Sequence, residues 1–269
     1  MPLITPAGYY TGHVRAANKD FLIALSARRH RRMLAGFLAV PPPSSWDSRA
    51  LGWVGAIKNQ SQCGSCYIFS GTFVLECAYN KAGVGGGPDK MVLSEEYSLD
   101  CLNVGGCGGG DNTSILEAAK NKGIPLTADY GPYQGHESRC KFSQTMKLFM
   151  VNDWGFAGSS QNYNSVTDTA DIKAAIMNYG CVGCAVDAGF NDPGTGVISG
   201  RGNNIDHDVA LVGWDDSKGN GGAWIMRNSW GTGWGDGGYA WIEYGAYSIG
   251  TESVWAVVNA VTPPIDWVP

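Results

Sequence analysis

Apolar positions recur at helical spacing in the first half of the chain and gather into short runs in the second. Phe69, Phe73 and Cys77 fall at i, i+4 and i+8, and Ile68 and Leu75 widen that face. This spacing predicts a mostly buried helix that starts at Cys66 and stops near Gly83, fed by the polar turn Asn59-Gln60-Ser61-Gln62. Ser94-Glu95-Glu96 reads as the start of a short helix toward Cys101, and 113–122 as another, ended by Gly123 and Pro125. Beyond about residue 150 the pattern changes. Residues 181–187, 207–214, 223–228, 239–244 and 253–260 are short apolar runs punctuated by Gly, Asn and Asp, as in an antiparallel sheet, with one helix at 171–179. Helices first and strands second predict an α+β fold with two subdomains. Residues 20–38 read as a helix stopped by Pro41-Pro42-Pro43. The expected divisions are therefore a leader at 1–43, a helical domain at 44–150 and a β-rich domain at 151–269.

The 269 residues, 44% of them hydrophobic, suffice for one large domain or two small ones sharing a cleft. Charge sharpens the division at 43. Residues 1–40 carry Arg15, Lys19, Arg28, Arg29, Arg31 and Arg32 against Asp20, a net of +5. The remaining 13 basic and 23 acidic side chains give −10, for −5 in all. A basic leader on an acidic body predicts either a solvated tail or a prosegment that docks on the body and is later removed. The acidic balance argues against nucleic acid as a partner. No apolar run approaches the roughly 18 residues of a membrane span. The Gly-rich stretch 83–88 lacks the Gly-Lys-Ser of a phosphate cradle.

Candidate chemistry falls at three separated places. Cys66 lies at a helix N-terminus, where unpaired N–H groups and the helix dipole favour a thiolate, the nucleophilic form. Of the four histidines, His13 and His30 lie in the leader and His136 has no strand context. His207, in Asp206-His207-Asp208 at the head of a strand, is the candidate base. Asn228-Ser229-Trp230 ends the next strand.

Together, Gln60, Cys63-Gly64-Ser65-Cys66-Tyr67, His207 and Asn228-Ser229-Trp230-Gly231 resemble the papain-like cysteine peptidases, whose signature is Cys-Gly-[Ser/Ala]-Cys-[Trp/Tyr] with His and Asn about 130–150 residues downstream. Here the offsets are 141 (207 − 66) and 162 (228 − 66), the longer one attributed to an extended loop at 215–222. The resemblance covers about 44–262. It implies a helical left domain, a β-rich right domain and a groove between them. It implies Cys66 as nucleophile paired with a His207 imidazolium, Asn228 orienting the ring and Trp230 shielding it. Gln60 and the Cys66 N–H would form the oxyanion hole.

By the same resemblance Gly109 and Gly110 would supply backbone to an extended substrate, and Asp111, Ile205, Asp208 and Val254 would lie at the S2 pocket. Asp208 and Asp111 stand where the family usually has apolar residues, so S2 is expected to accept basic or polar side chains; Asp208 capping a turn is the alternative. Cys63 would pair with Cys107 and Cys101 with Cys140, while Cys77, Cys181 and Cys184 have no assigned partner. Two disulfides imply an oxidising compartment, secreted or endolysosomal or vacuolar, although no conventional signal peptide is legible. The implied protein is a monomer acting on protein or peptide substrates, with no metal or cofactor and with its own leader as inhibitor, released when acid protonates carboxylates facing the arginine cluster. An endopeptidase is the default, and a carboxypeptidase-like exopeptidase the alternative. Rival readings are a thioredoxin-like Cys63-x-x-Cys66 redox site, a zinc site from Cys63, Cys66, Cys181 and Cys184, and a catalytically silent binding homologue.

Overall fold

The computed structural model describes residues 3–16, 41–158 and 165–258. The helix expected at 20–38 and the arginine cluster at 28–32 lie outside the described residues. In chain order the elements are β1 (Leu3–Ile4), β2 (Tyr10–Thr11), β3 (Ser45–Asp47), α1 (Cys66–Lys81), α2 (Glu95–Cys101), β4 (Gly105–Gly106), β5 (Gly109–Gly110), α3 (Asn112–Asn121), β6 (Ile124–Pro125), α4 (Thr127–Tyr130), β7 (Leu148–Phe149), β8 (Asp153–Phe156), α5 (Thr169–Tyr179), β9 (Val182–Val186), β10 (Val197–Ile198), β11 (His207–Asp215), β12 (Ala223–Arg227), β13 (Tyr239–Glu243) and β14 (Thr251–Val257). The α+β class and the division into a helical and a sheet half match the expectation.

Helix α1 is buried on every side: all residues from Cys66 to Asn80 are buried. Such a helix carries no polar stripe, so each polar group along it needs a specific partner. Ser70 Oγ donates to the Val209 carbonyl at 2.9 Å and hooks α1 to β11. Glu76 Oε1 accepts from Lys58 Nζ at 2.7 Å and from the Leu93 N–H at 2.7 Å, and Lys58 also reaches Glu95 at 2.6 Å. This buried cluster ties the approach to α1, the helix itself and α2 together; removing one member would leave the others desolvated and unpaired. Caps fix the two shorter helices. Ser94 accepts from Tyr97 N at the start of α2, and Asp111 from Ser114 N at the start of α3.

The sheet runs β10-β13-β12-β11-β9-β14-β8, with β3 added along β11. All its pairings are antiparallel except β10 with β13. Alternation along β11 sorts its side chains: Ala210 and Val212 join the core cluster around α1, and Val209 and Leu211 the cluster that contains Ile172 and Ile176 of α5. Five strands match the apolar runs read from sequence. β3, β8 and β10 add to them, short additions whose two to four residues form no recognisable run. β3 places Trp46 opposite Trp214, so the chain just after residue 43 starts in the sheet half before it crosses to the helices.

Gly71 sets the distance between α1 and α3: a side-chain carbon there would lie 2.7 Å from Ile115 Cβ and 3.1 Å from the Asn112 carbonyl oxygen. Gly71→Leu is expected to destabilise the fold by about 1–3 kcal/mol through overpacking. A denaturant midpoint unchanged from the parent would refute this account of the helix contact.

Candidate active site

Three elements deliver the candidate residues. α1 presents Cys66 at its first position, β11 presents His207 at its own, and the chain leaving β12 presents Asn228. His207 is fully buried, and its Nε2 lies 2.8 Å from Asn228 Oδ1, which also accepts from the Ser229 N–H. That contact makes Nε2 the donor in the neutral ring and leaves Nδ1 as the ring's lone-pair nitrogen. Trp230 stacks on the imidazole at 4.6 Å between centroids and closes it off from water. Gln60 is held from both sides. Its backbone N–H reaches the Ser229 carbonyl at 2.8 Å, and its side-chain oxygen accepts from Ser229 Oγ at 2.6 Å. Its amide nitrogen donates one N–H to the Cys63 carbonyl at 2.8 Å, which leaves the other for a partner in the groove. Backbone N–H groups of Asp208, Gly12 and Tyr67 reach the Cys66 sulfur, so residues of both halves and of the leader converge on it.

Residues 9–14 of the leader lie across this constellation. The Tyr10 carbonyl accepts from Gln60 Nε2 and from Trp230 Nε1, each at 3.1 Å, and the Tyr9 ring stacks on Trp230 at 4.4 Å. Gly12 and His13 donate to the Asp206 carbonyl at 3.1 and 2.9 Å. The Gly110 N–H reaches the Gly12 carbonyl at 2.8 Å, and the Val14 N–H reaches the Gly110 carbonyl at 2.6 Å, a parallel pairing centred on His13. Only glycine fits at position 12, where a side-chain carbon would lie 1.9 Å from the Gly64 oxygen.

His13 projects into a buried pocket of carboxylates. Its Nδ1 lies 2.9 Å from Asp208 Oδ2 and its Nε2 3.5 Å from Glu252 Oε2, while Arg15 Nε approaches Glu252 Oε1 at 3.4 Å. Burial alone would push the imidazole toward neutrality; the charges and hydrogen bonds of Asp208 and Glu252 overturn this and raise its pKa to about 10. Asp208 is raised to about 6 by burial, an effect that His13 partly offsets. Next to this pocket the covered site favours uncharged chemistry. Burial, then the Asp208 charge, pushes the Cys66 thiol well up. Burial also drops His207 to about 4, against the Asn228 hydrogen bond and with the His13 charge adding to the fall. With residues 9–14 seated, the pair favours thiol and neutral imidazole rather than the ionised pair expected from sequence, because the segment excludes the water that would solvate the charges.

Cys66, His207, Asn228, Gln60, Trp230, Gly110 and Asp208 thus gather around residues 9–14, and in this covered arrangement His207 Nδ1 is buried without a hydrogen-bond partner among the described residues. Gly109 lies against the same segment, 2.6 Å from the Gly12 oxygen if it bore a side-chain carbon. Asp111 is turned to the α3 cap and accepts from Thr113 and Ser114, while Asp208, rather than capping a turn, faces His13. Ile205 is half-buried, and Val254 is wholly buried among the residues packed around α1. Sequence reading missed Glu252, His13, Tyr10 and Gly12. The signal for Glu252 was a lone carboxylate inside an apolar strand; the leader residues carried none, since only the groove gives them meaning. Cys63 is bonded to Cys107 and Cys101 to Cys140, as the resemblance implied. The first bond removes both the Cys63-x-x-Cys66 redox reading and the four-cysteine zinc reading.

A family model described as papain family cysteine protease matches residues 42–257. The KDEL-tailed cysteine endopeptidase CEP2 of Arabidopsis thaliana is 37% identical over 208 residues, covering 75% of this chain and 54% of that protein. Cathepsin L of Sarcophaga peregrina is 32% identical over 231 residues, covering 78% and 63%. The chain thus spans less than two thirds of either relative. Among solved structures, digestive procathepsin L2 proteinase from Tenebrio molitor larval midgut superposes with a TM-score of 0.70 at 28% identity, covering 85% of this chain and 72% of that one. The bromelain protease from Ananas comosus, solved with the E64 inhibitor, gives 0.65 at 27%, covering 81% and 100%.

A raised histidine pKa means that the His13 contacts stabilise the docked state fully below its ordinary 6.5 and lose that effect as pH rises through about 10. Imidazole NMR of the full chain, assigned with His13→Gln, is expected to give a midpoint near 10 for His13, against about 6.5 in a peptide of residues 3–16. A midpoint at or below 7 in the full chain would remove the carboxylate pocket as its partner.

Proposed function

The chain belongs to the papain family of cysteine proteases, and on that premise we propose that it is a cysteine endopeptidase made as a zymogen, with residues 1–43 as the inhibitory leader. The observation that carries this reading is that the groove already holds an extended peptide, its own residues 9–14, by the backbone of Gly110 and the side chain of Gln60. A site that binds main chain in this way is suited to a substrate's main chain.

Once the leader leaves, water reaches Cys66 and His207 and relieves the burial that keeps both neutral. The thiol proton passes to His207 Nδ1, and Asn228 on Nε2 holds the ring for that transfer. The thiolate attacks the scissile carbonyl carbon. The oxyanion then takes the Gln60 amide N–H, which in the covered state serves the Tyr10 carbonyl, together with the Cys66 N–H. Collapse expels the amine with the proton from His207 and leaves a thioester; water, deprotonated by the same ring, releases the acid. Gln60→Ala is expected to lower kcat by about 10²–10³ with a smaller change in KM. Equal losses in binding and turnover would count against Gln60 as an oxyanion donor.

The pocket that holds His13 is read as S2. Asp208 and Glu252 line it, so substrates with Arg or Lys at P2 are expected to be preferred, and Glu252→Gln to erode that preference. A P2-varied peptide library in which Leu and Phe exceed Arg and Lys tenfold would overturn the assignment. The two disulfides support an oxidising compartment. Among the described residues no helix is long and apolar enough to cross a membrane.

The zymogen reading is tested by mass spectrometry of the full chain with a peptide epoxide directed at thiols. One adduct on Cys66, gained in step with loss of about 40 N-terminal residues, is the expected result. Labelling at the same rate before and after that loss would show that the segment does not guard the site.

A further inference from the structure

Four cysteines are outside the two disulfides, and Cys66 is the nucleophile. The other three are fully buried and take no part in the reaction. Two of them meet. The thiols of Cys77, on α1, and Cys181, just ahead of β9, are neighbours that interact with each other, and both belong to the core cluster around α1. Their backbones are also adjacent: a side-chain carbon on Gly180 would lie 3.5 Å from Cys77 Cβ and 3.3 Å from the Cys77 carbonyl oxygen. The third, Cys184, belongs to the opposite cluster and lies against the backbone of Gly250, so it does not compete for either partner.

We propose that Cys77 and Cys181 close into a third disulfide that fastens α1 to the head of β9. The chemistry is thiol–disulfide exchange with a low-molecular-weight disulfide such as oxidised glutathione. One cysteine thiolate displaces a glutathione thiolate to give a mixed disulfide, and the second cysteine displaces the other. Two S–H bonds and one S–S bond break, one protein S–S bond and two glutathione S–H bonds form, and two electrons pass to glutathione. Burial pushes the Cys77 thiol up, so the exchange belongs to the folding chain, before the core closes over it. Both existing bridges lie within the helical half. This bond joins that half to the sheet, eleven residues (77 − 66) and about 16 Å along α1 from Cys66. It holds the two walls of the groove together at their base, well away from the reacting atoms.

Thiol counting tests it. The full chain carrying Cys66→Ser, which prevents self-cleavage, is folded in a glutathione redox buffer, denatured without reductant and alkylated. Carbamidomethyl and glutathione adducts are counted together. Of the three remaining cysteines outside the known bridges (four less Cys66), one adduct is expected, on Cys184, with the peptides of Cys77 and Cys181 recovered joined. Adding Cys181→Ala is expected to raise the count from one to two, a gain of a free thiol on removal of a cysteine. Three adducts in the parent with the other two bridges intact, falling to two on Cys181→Ala, would overturn the proposal. Peptide mapping of the parent alone decides the matter should the double variant fail to fold.

Discussion

The molecule depends on enclosing a sixteen-residue helix from all sides. A helix with no wet face gains stability only if both halves of the chain pack on it, so α1 acts as the shared core of two otherwise separate layers. Its first residue is fixed as firmly as its middle. Cys66, the proposed nucleophile, therefore sits where helix packing, rather than a flexible loop, determines its position. The sheet arrives against the same helix through the Ser70–Val209 hydrogen bond. That contact sets the strand whose head carries His207. Catalytic geometry is in this sense a by-product of core geometry.

Electrostatics adds a second layer. A buried cation between two carboxylates, a neutral imidazole and a high-pKa thiol are mutually consistent only while the leader keeps water out. Lifting residues 9–14 changes the solvent around several groups at once. Asp208 has a part in both regimes, because it follows His207 in sequence, its N–H meets the Cys66 sulfur and its carboxylate faces His13.

Local spacing carried much of this into the sequence. The i, i+4, i+8 run marked α1, the Ser94 cap marked α2, and five apolar runs marked five strands. Cys66, His207, Asn228 and Gln60 were legible because their neighbours form compact motifs. What was not legible depends on contacts across the fold. Asp111 and Asp208 are both isolated acids after a motif, and nothing local says that one caps a helix while the other faces a cation. Glu252 hides within an apolar strand. β3 and β8 are too short to produce a period. His13 reads as an unremarkable residue of a basic leader until the pocket beneath it is seen.

Gln60 and Trp230 both hold the Tyr10 carbonyl. The groups proposed for catalysis are thus the same groups that, on the zymogen reading, would keep the protein latent. On that reading a random change at either position would weaken catalysis and restraint together, so damaged copies would become feeble rather than unruly. Restraint built from the working parts of the machine makes it hard for drift to produce an enzyme that is both potent and ungoverned.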